Sequence, residues 1–148
     1  MSLSASRLQT GVSRPLGFLL LTLVATFATL VPGGPVETRD FKALGGAVFW
    51  GFNVYLIALG LTALLAGGMA LKGKRSAGWL AIICGWNYLF VVFLDLGEVF
   101  PRSSDPMPFL LGVIEILDAI LAAYAIVLGH RVLDHFGFSA RESAAEQS

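Results

Sequence analysis

The sequence predicts an all-α membrane protein with four transmembrane helices arranged as an antiparallel up-down bundle. Composition and hydropathy lead to this fold class. Hydrophobic residues make up 56% of the 148-residue chain and charged residues only 14%, and the mean hydropathy is +0.77. A soluble domain carries about 25% charged residues, because it needs a solvated exterior. This chain lacks that much polar surface, so we expect lipid to surround it.

Four apolar stretches are long enough, or nearly so, to cross the hydrocarbon core, which requires about 20 residues. They cover residues 15–31, 46–71, 78–100 and 108–129. Pro-Gly-Gly-Pro at 32–35 ends the first stretch, because proline and glycine do not continue a helix. Lys-Gly-Lys-Arg at 72–75 forms a basic turn between the second and third stretches. Pro108 is placed as a first-turn proline of the fourth helix.

These stretches divide the chain into three regions. Residues 1–14 form a cytoplasmic N-terminal segment, and residues 15–136 form the four-helix transmembrane domain. Residues 137–148 form a disordered cytoplasmic tail, because the end of the chain is rich in small and polar residues. The first apolar stretch could instead be a signal peptide, since it follows basic residues. Its length favours a retained helix.

The positions of Lys and Arg predict the orientation, because these residues are enriched in cytoplasmic loops. If four helices alternate, the larger group of basic residues falls on one side: Arg7, Arg14, Lys72, Lys74, Arg75, Arg131 and Arg141. The smaller group on the other side is Arg39, Lys42 and Arg102. We therefore expect a multi-pass protein of the cell membrane (plasma or inner) with both termini in the cytoplasm.

Several function classes are excluded by the sequence. The formal net charge of zero argues against nucleic acid as a partner. The single cysteine, Cys84, excludes an intrachain disulfide and a Cys-x-x-Cys redox pair. His130 and Asp134 are four residues apart, but two ligands do not make a metal site. We therefore predict no metal and no cofactor, and no motif is specific enough to assign a family.

Glu115 and Asp118 are the strongest candidates for function. They lie roughly 10 and 15 Å below the outer end of the fourth stretch, at 1.5 Å per residue, and three residues apart they share a helix face. An acidic residue at a helix centre costs about 2.5–3.5 kcal/mol on insertion, whereas each large apolar residue returns only about 0.3–0.6 kcal/mol. The two acids must therefore face the bundle rather than lipid.

The acids have no basic partner within the helices, because none of the four stretches contains Lys or Arg. At the interface, Arg102 could reach Glu98 and Asp95. Glu115 and Asp118 could be protonated, line a watery cavity or hold a cation. A close pair of carboxylates favours sharing one proton. We therefore predict Asp118 as a candidate catalytic acid and Glu115 as its partner.

Other polar and aromatic residues could face the same space by helical periodicity. The predicted ligand-binding set is Thr26, Trp50, Asn53, Trp86, Asn87, Tyr88, Asp95 and Glu98. The pattern indicates a polar interior open toward the outer leaflet. Threonine and asparagine in membrane helices also commonly serve packing and interhelical hydrogen bonding, and that alternative stays open.

Three functions fit these features. The first is binding of an apolar small molecule such as an isoprenoid, a sterol-like compound or a quinone, with acid-catalysed isomerisation or cyclisation as an open possibility. The second is proton- or cation-coupled transport as an oligomer. The third is an accessory subunit whose acids pair with basic residues of a larger membrane-protein partner. The expected partners are membrane lipid with either the small molecule or that larger protein.

Overall fold

The computed structural model describes residues 2–32, 34–41 and 45–145, with side chains described between residues 11 and 137 of these ranges. The described chain forms four helices: α1 (Ser2–Phe27), α2 (Gly46–Leu71), α3 (Ser76–Leu96) and α4 (Phe109–Ala145). Each helix packs against the next in the chain, and α4 packs against α1, so the four helices form a closed bundle.

Residues that meet across the helix pairs show that neighbouring helices run in opposite directions. Early α1 packs on late α2, where Gly17 approaches Leu71. Late α1 meets early α4, where Thr26 bonds to Asp118. These pairings confirm the predicted all-helical four-helix fold. Three helices are long and apolar enough to cross a membrane, namely α2, α3 and the Phe109–Gly137 part of α4, whereas the apolar part of α1, Gly11–Phe27, is shorter.

The helix ends differ from the predicted boundaries in two places. Helix α1 begins at Ser2 rather than near residue 15, and it continues through Pro15. Proline lacks the N–H that would bond to the carbonyl of Gly11. Both residues are exposed, so that carbonyl faces the surroundings rather than the core.

At the other end, the structure describes helix in part of the region 137–148, for which the sequence predicts a disordered tail. Helix α4 continues through Ala145, and residues 146–148 lie outside the described part of the chain. Val132 is buried in the core and Phe136 packs beside it, so the apolar stripe of α4 extends past residue 129. The following residues include good helix formers and no proline.

The core has two halves along the bundle axis. We name the end that carries the 72–75 turn the turn end, and the end that carries the 28–45 and 97–108 connections the loop end. The turn-end core consists of Leu16, Leu20, Ala66, Ala70, Ala77, Ala81, Ala125, Leu128 and Val132. The loop-end core consists of Leu23, Phe27, Leu56, Leu59, Ala63, Cys84, Tyr88, Val91 and Ala122. Among the described residues, the buried acids Asp95, Glu115 and Asp118 lie in the loop-end half, whereas Ser13 is buried at the turn end.

Glycines bring α3 and α4 into close contact near the turn end. A Cβ atom added at Gly78 would lie 2.9 Å from the carbonyl oxygen of Gly129, and one added at Gly129 would lie 2.8 Å from the carbonyl oxygen of Gly78. Small residues at such crossings let helix backbones approach closely in a membrane. The turn-end half is consequently closely packed.

Candidate functional site

A loop arginine carries a positive charge to the loop end of the bundle. Arg39 lies between α1 and α2, and its side chain is only 3% exposed. Its Nε donates to Glu37 Oε1 at 2.9 Å and its Nη2 donates to Glu37 Oε2 at 2.5 Å. The same Nη2 donates to Asp95 of α3, at 2.8 Å to Oδ1 and 2.9 Å to Oδ2. The connection thus supplies the basic group that the helices lack.

This ion pair corrects the expected partner of Asp95. The sequence pointed to Arg102, which is exposed. The chain between α1 and α2 instead turns back over the bundle, where the Val36 amide donates to the Thr29 carbonyl. Phe41 is buried beneath the Arg39 guanidinium, 5.3 Å from the ring centroid. Tertiary packing of this segment therefore decides which arginine reaches α3.

Glu98, predicted as part of the same interior, lies outside it. The residue is exposed, follows the end of α3 and has a φ of 50°, in the left-handed region. The turn that ends α3 directs the chain away from the helix axis. Glu98 therefore belongs to the surface of the loop end.

The guanidinium of Arg39 remains protonated and positively charged. Burial alone would lower the pKa of its guanidinium, but hydrogen bonds and charge interactions with Glu37 and Asp95 outweigh burial. The pKa of Arg39 is therefore raised above its ordinary value. A buried guanidinium with two carboxylate partners stays charged, and it fixes the segment that carries it.

Glu115 joins this arrangement from α4. It is buried, as is Asp95. Together with Glu37, the two acids line a small cavity of about 20 Å³, enough for about one water molecule. Among the described residues, Glu115 Oε2 has no hydrogen-bond partner. We name Glu37, Arg39, Asp95 and Glu115 the charge cluster; it sets three carboxylates around one guanidinium.

Asp118 occupies a different position, about one turn deeper along α4, and is 0% exposed. Thr26 Oγ1 of α1 donates to Asp118 Oδ1. Tyr88 of α3 interacts electrostatically with Asp118. The Tyr88 ring packs edge-on against the Phe27 ring, with the ring centroids 4.6 Å apart. Within the described chain, neither Asp118 Oδ2 nor the Tyr88 hydroxyl has a hydrogen-bond partner. Thr26 and Tyr88 are thus neighbours of a predicted acid, as their helix positions suggested.

The predicted pairing of Glu115 with Asp118 is not the arrangement that the structure shows. Glu115 lines one small cavity with Asp95 and Glu37, whereas Asp118 does not line that cavity and is bonded to Thr26. Residues three apart on a helix share a face, but they are separated by about 4.5 Å along the axis. Each acid therefore meets a different layer of the bundle.

The predicted aromatic walls at Trp50 and Trp86 are also corrected. Their exposed fractions are 67% and 61%, so both indoles lie on the outer surface of the bundle. Helical periodicity restricts which residues share a face, but the packing of neighbouring helices decides which face is covered. Trp50 and Trp86 do not line the interior.

The two asparagines make structural hydrogen bonds. Asn53 is buried, and its Nδ2 donates to the Phe49 carbonyl within α2. The Tyr55 hydroxyl of α2 donates to Asn87 Oδ1 of α3 at 2.7 Å. Such a bond between helices satisfies polar groups that lipid cannot satisfy. The packing interpretation therefore accounts for the observed bonds of Asn53 and Asn87.

A ligand-sized cavity opens beside Arg39. Its volume is about 330 Å³, and it is lined by Pro32, Arg39, Asp40, Phe41, Gly45, Gly46 and Phe49. We name it the loop-end pocket. Gly45, with a φ of 72°, makes the turn into α2 that most side chains would disfavour. A more polar groove of about 530 Å³ also borders Arg39.

Residues 12–147 match the family model described as "Domain of unknown function (DUF8051)". The chain belongs to this family. Among curated proteins and among solved structures, none matches the chain. Membership of this family establishes the relationship but no activity, which depends on the residues of the site.

The chemistry open to this DUF8051 member follows from which groups line its cavities. Glu115 and Asp118 do not line the loop-end pocket, so neither is placed to transfer a proton to a ligand there. Among the described residues, no three His, Cys, Asp or Glu side chains are arranged to hold a metal ion. The sequence did not predict Glu37 or the residues that line the pocket as part of a site. The opposite charges of Glu37 and Arg39, two residues apart between two apolar stretches, could have indicated an ion pair there.

Proposed function

We propose that this protein is a four-span membrane protein that binds an apolar small molecule with a neutral polar group in the loop-end pocket. The observation that carries the proposal is the pocket's size and chemistry. Its volume of about 330 Å³ lies within the roughly 300–1,000 Å³ of small-molecule sites. Such sites combine apolar walls with a few placed polar groups. Here Phe41 and Phe49 supply apolar surface, and Arg39 supplies the hydrogen-bond donor.

The proposed membrane arrangement rests on α1 as well as on the three longer helices. The apolar part of α1, Gly11–Phe27, covers about 26 Å, against a hydrocarbon core of about 30 Å. Because α1 packs along both α2 and α4, it shares their depth. The excess of Lys and Arg at the turn end supports a cytoplasmic location of both termini in a plasma or inner membrane. The loop-end pocket then faces the outer leaflet.

The charge balance around Arg39 favours a neutral ligand group. Glu37 and Asp95 already oppose its charge. An anionic headgroup would therefore compete with these two carboxylates for the guanidinium. A carbonyl or hydroxyl oxygen could accept a hydrogen bond from Arg39 Nη1, which takes no part in the bonds to Glu37 and Asp95. Isoprenoid alcohols, sterol-like compounds and quinones have this chemistry.

The alternatives receive less support. A transport path would require a continuous series of polar groups on both sides of Asp118, whereas the turn-end core cluster consists of leucine, alanine and valine, with Ser13 as a buried polar residue at that end. An accessory subunit that pairs through Glu115 and Asp118 would need access to them, and both are buried among the helices. The Asp95–Arg39 ion pair also supplies a basic partner within the chain.

The proposal is tested by filling the pocket without disturbing the fold. A Cβ atom added at Gly46, which lines the pocket, meets no atom within 4 Å, and the same holds at Gly51 farther along α2. We therefore expect Gly46→Leu to occupy the pocket, whereas Gly51→Leu serves as the matched control. Native mass spectrometry of the purified protein would measure binding of farnesol, of a short-chain quinone and of farnesyl diphosphate.

The expected result is that at least one neutral probe binds the wild type and Gly51→Leu, and that Gly46→Leu weakens this binding by about tenfold or more because its side chain takes up ligand volume. Farnesyl diphosphate should bind more weakly than farnesol. Equal binding to Gly46→Leu and Gly51→Leu would remove the loop-end pocket as the site. Preference for the diphosphate would contradict the neutral ligand group.

A further inference from the structure

We infer that Asp95 and Glu115 hold one proton between them, and that this proton keeps the segment 34–41 on the bundle and so sets the shape of the loop-end pocket. The inference adds a mode of regulation to that pocket, and its consequence for ligand binding rests on the proposed function. Its structural part concerns the charge cluster alone and can be tested without a ligand.

Charge counting supplies the first argument. The three carboxylates and the guanidinium of the charge cluster are all buried. If every acid were ionised, one positive charge would face three negative charges within the bundle. Neighbouring carboxylates resist joint ionisation in a poorly solvated site. One proton on the Asp95–Glu115 pair reduces this excess.

Hydrogen-bond geometry supplies the second argument. Both oxygens of Asp95 accept from Arg39, so Asp95 is the acceptor of the pair. Glu115 lines the same small cavity as Asp95 and has no donor at Oε2 among the described residues. A protonated Glu115 donates one hydrogen bond to Asp95, and such a bond between an acid and a carboxylate is a strong one. The proton therefore resides on Glu115.

Few other groups compete for this proton. The neighbouring helix α2 contributes apolar walls, Phe52 and Leu56, to the small cavity. On the α1 side, the hydroxyl of Thr26 bonds to Asp118. Among the described residues that line the small cavity, the titratable groups are Glu37, Asp95 and Glu115, with Arg39 bonded to two of them.

The charge cluster is connected to the loop-end pocket through the backbone of residues 39 and 40. The Arg39 amide donates to Glu37 Oε1 at 3.1 Å, and the Asp40 amide donates to Asp105 Oδ2 at 2.9 Å. Arg39 and Asp40 also form part of the pocket wall. When Glu115 loses its proton, it repels Asp95 and competes for Arg39. The hold on the segment 34–41 then weakens, so the segment is ordered at lower pH and loosens as pH rises.

Hydrogen exchange at the Arg39 and Asp40 amides, followed by mass spectrometry across a pH series without ligand, tests this directly. A synthetic peptide of residues 34–41 corrects for the intrinsic pH dependence of exchange. We expect protection in the wild type to fall by about tenfold as pH rises, the equivalent of roughly one lost charge-assisted hydrogen bond. In Glu115→Gln the neutral amide replaces the protonated acid, so protection should stay high at every pH. Asp118→Asn, which lies outside the cluster, should follow the wild type.

A protection profile in the wild type that does not change with pH would overturn the inference. The same pH-dependent fall in Glu115→Gln as in the wild type would also overturn it. If Glu115→Gln is misfolded by circular dichroism, Asp95→Asn gives a second test, because removing either acid should abolish the pH dependence. Failure of farnesol or quinone binding would not alter these results, so the two proposals can fail separately.

Discussion

The buried ion pair of Arg39 gives the most direct test of the structure. Replacing Arg39 by methionine keeps an apolar side chain of similar length and removes the guanidinium. In the wild type that group makes four hydrogen-bond contacts to Glu37 and Asp95. After the substitution, both carboxylates remain buried without their positive partner.

The expected cost follows from this burial. Breaking a buried pair by removing one partner typically costs about 3–5 kcal/mol, because an uncompensated charge stays behind. The side chains of Arg39 and Glu37 are 3% and 2% exposed, so little of this cost is removed by solvent screening. We therefore expect Arg39→Met to lower the free energy of unfolding by about 3–5 kcal/mol.

Arg102 provides the matched control. It is exposed in the connection between α3 and α4, and exposed substitutions usually change stability by less than about 0.5 kcal/mol. Unfolding of both variants in detergent micelles, followed by helical circular dichroism against denaturant, measures the difference. A comparable cost for Arg102→Met and Arg39→Met would refute the reasoning, since both would then act as surface charges.

A double-mutant cycle identifies the carboxylate that matters. In an Asp95→Asn background, Arg39→Met leaves one fewer charge unpaired, so its cost should be smaller. Residues in direct contact show coupling energies of about 0.5–3 kcal/mol. Additive effects of the two substitutions would contradict the contact between Arg39 and Asp95.

Two further predictions concern the helix contacts, and the same unfolding assay measures both. Gly129→Val places a Cβ 2.8 Å from the Gly78 carbonyl oxygen, and we expect this overpacking to lower the free energy of unfolding by about 1–3 kcal/mol. The control Gly60→Ala has open space around the new Cβ and should be neutral or slightly stabilising. Equal effects of the two substitutions would contradict the close crossing. Thr26→Val removes the donor to Asp118 and should cost about 1–3 kcal/mol. The control Thr22→Val, at an exposed residue, should change stability by less than about 0.5 kcal/mol, and a similar loss in both variants would contradict a special role for Thr26.

The burial of Glu115 and Asp118 could be predicted from the sequence because insertion energies are large. An acid inside an apolar helix is too costly to face lipid, whatever its neighbours are. The structure places both acids in the interior. The residues that contact these acids could not be predicted, because periodicity gives the face of a helix but not the residue opposite it. For that reason the Glu115–Asp118 pair was predicted, whereas the structure places Glu115 with Asp95 on one small cavity.

The aromatic residues show the same limit. Trp50 and Trp86 share helices with buried polar residues, and the sequence could place them on either side. Whether an indole faces the core or the surroundings depends on which neighbouring helix covers it, and both are exposed here. By contrast, Tyr88 was predicted in the interior set and lies fully buried beside Phe27.

The sequence by itself determined the helical fold, the apolar character of the helices and the two acids that must be shielded, because these follow from composition and from the energy of each side chain in lipid. Only the tertiary structure decided that Arg39 is the counter-charge and that a pocket forms beside it. The segment 34–41 carries no periodic pattern, so its path depends on contacts with α3 and with the 97–108 connection. Those contacts join residues distant in the chain, such as Arg39 with Asp95 and Asp40 with Asp105, and such pairings arise from packing rather than from local sequence.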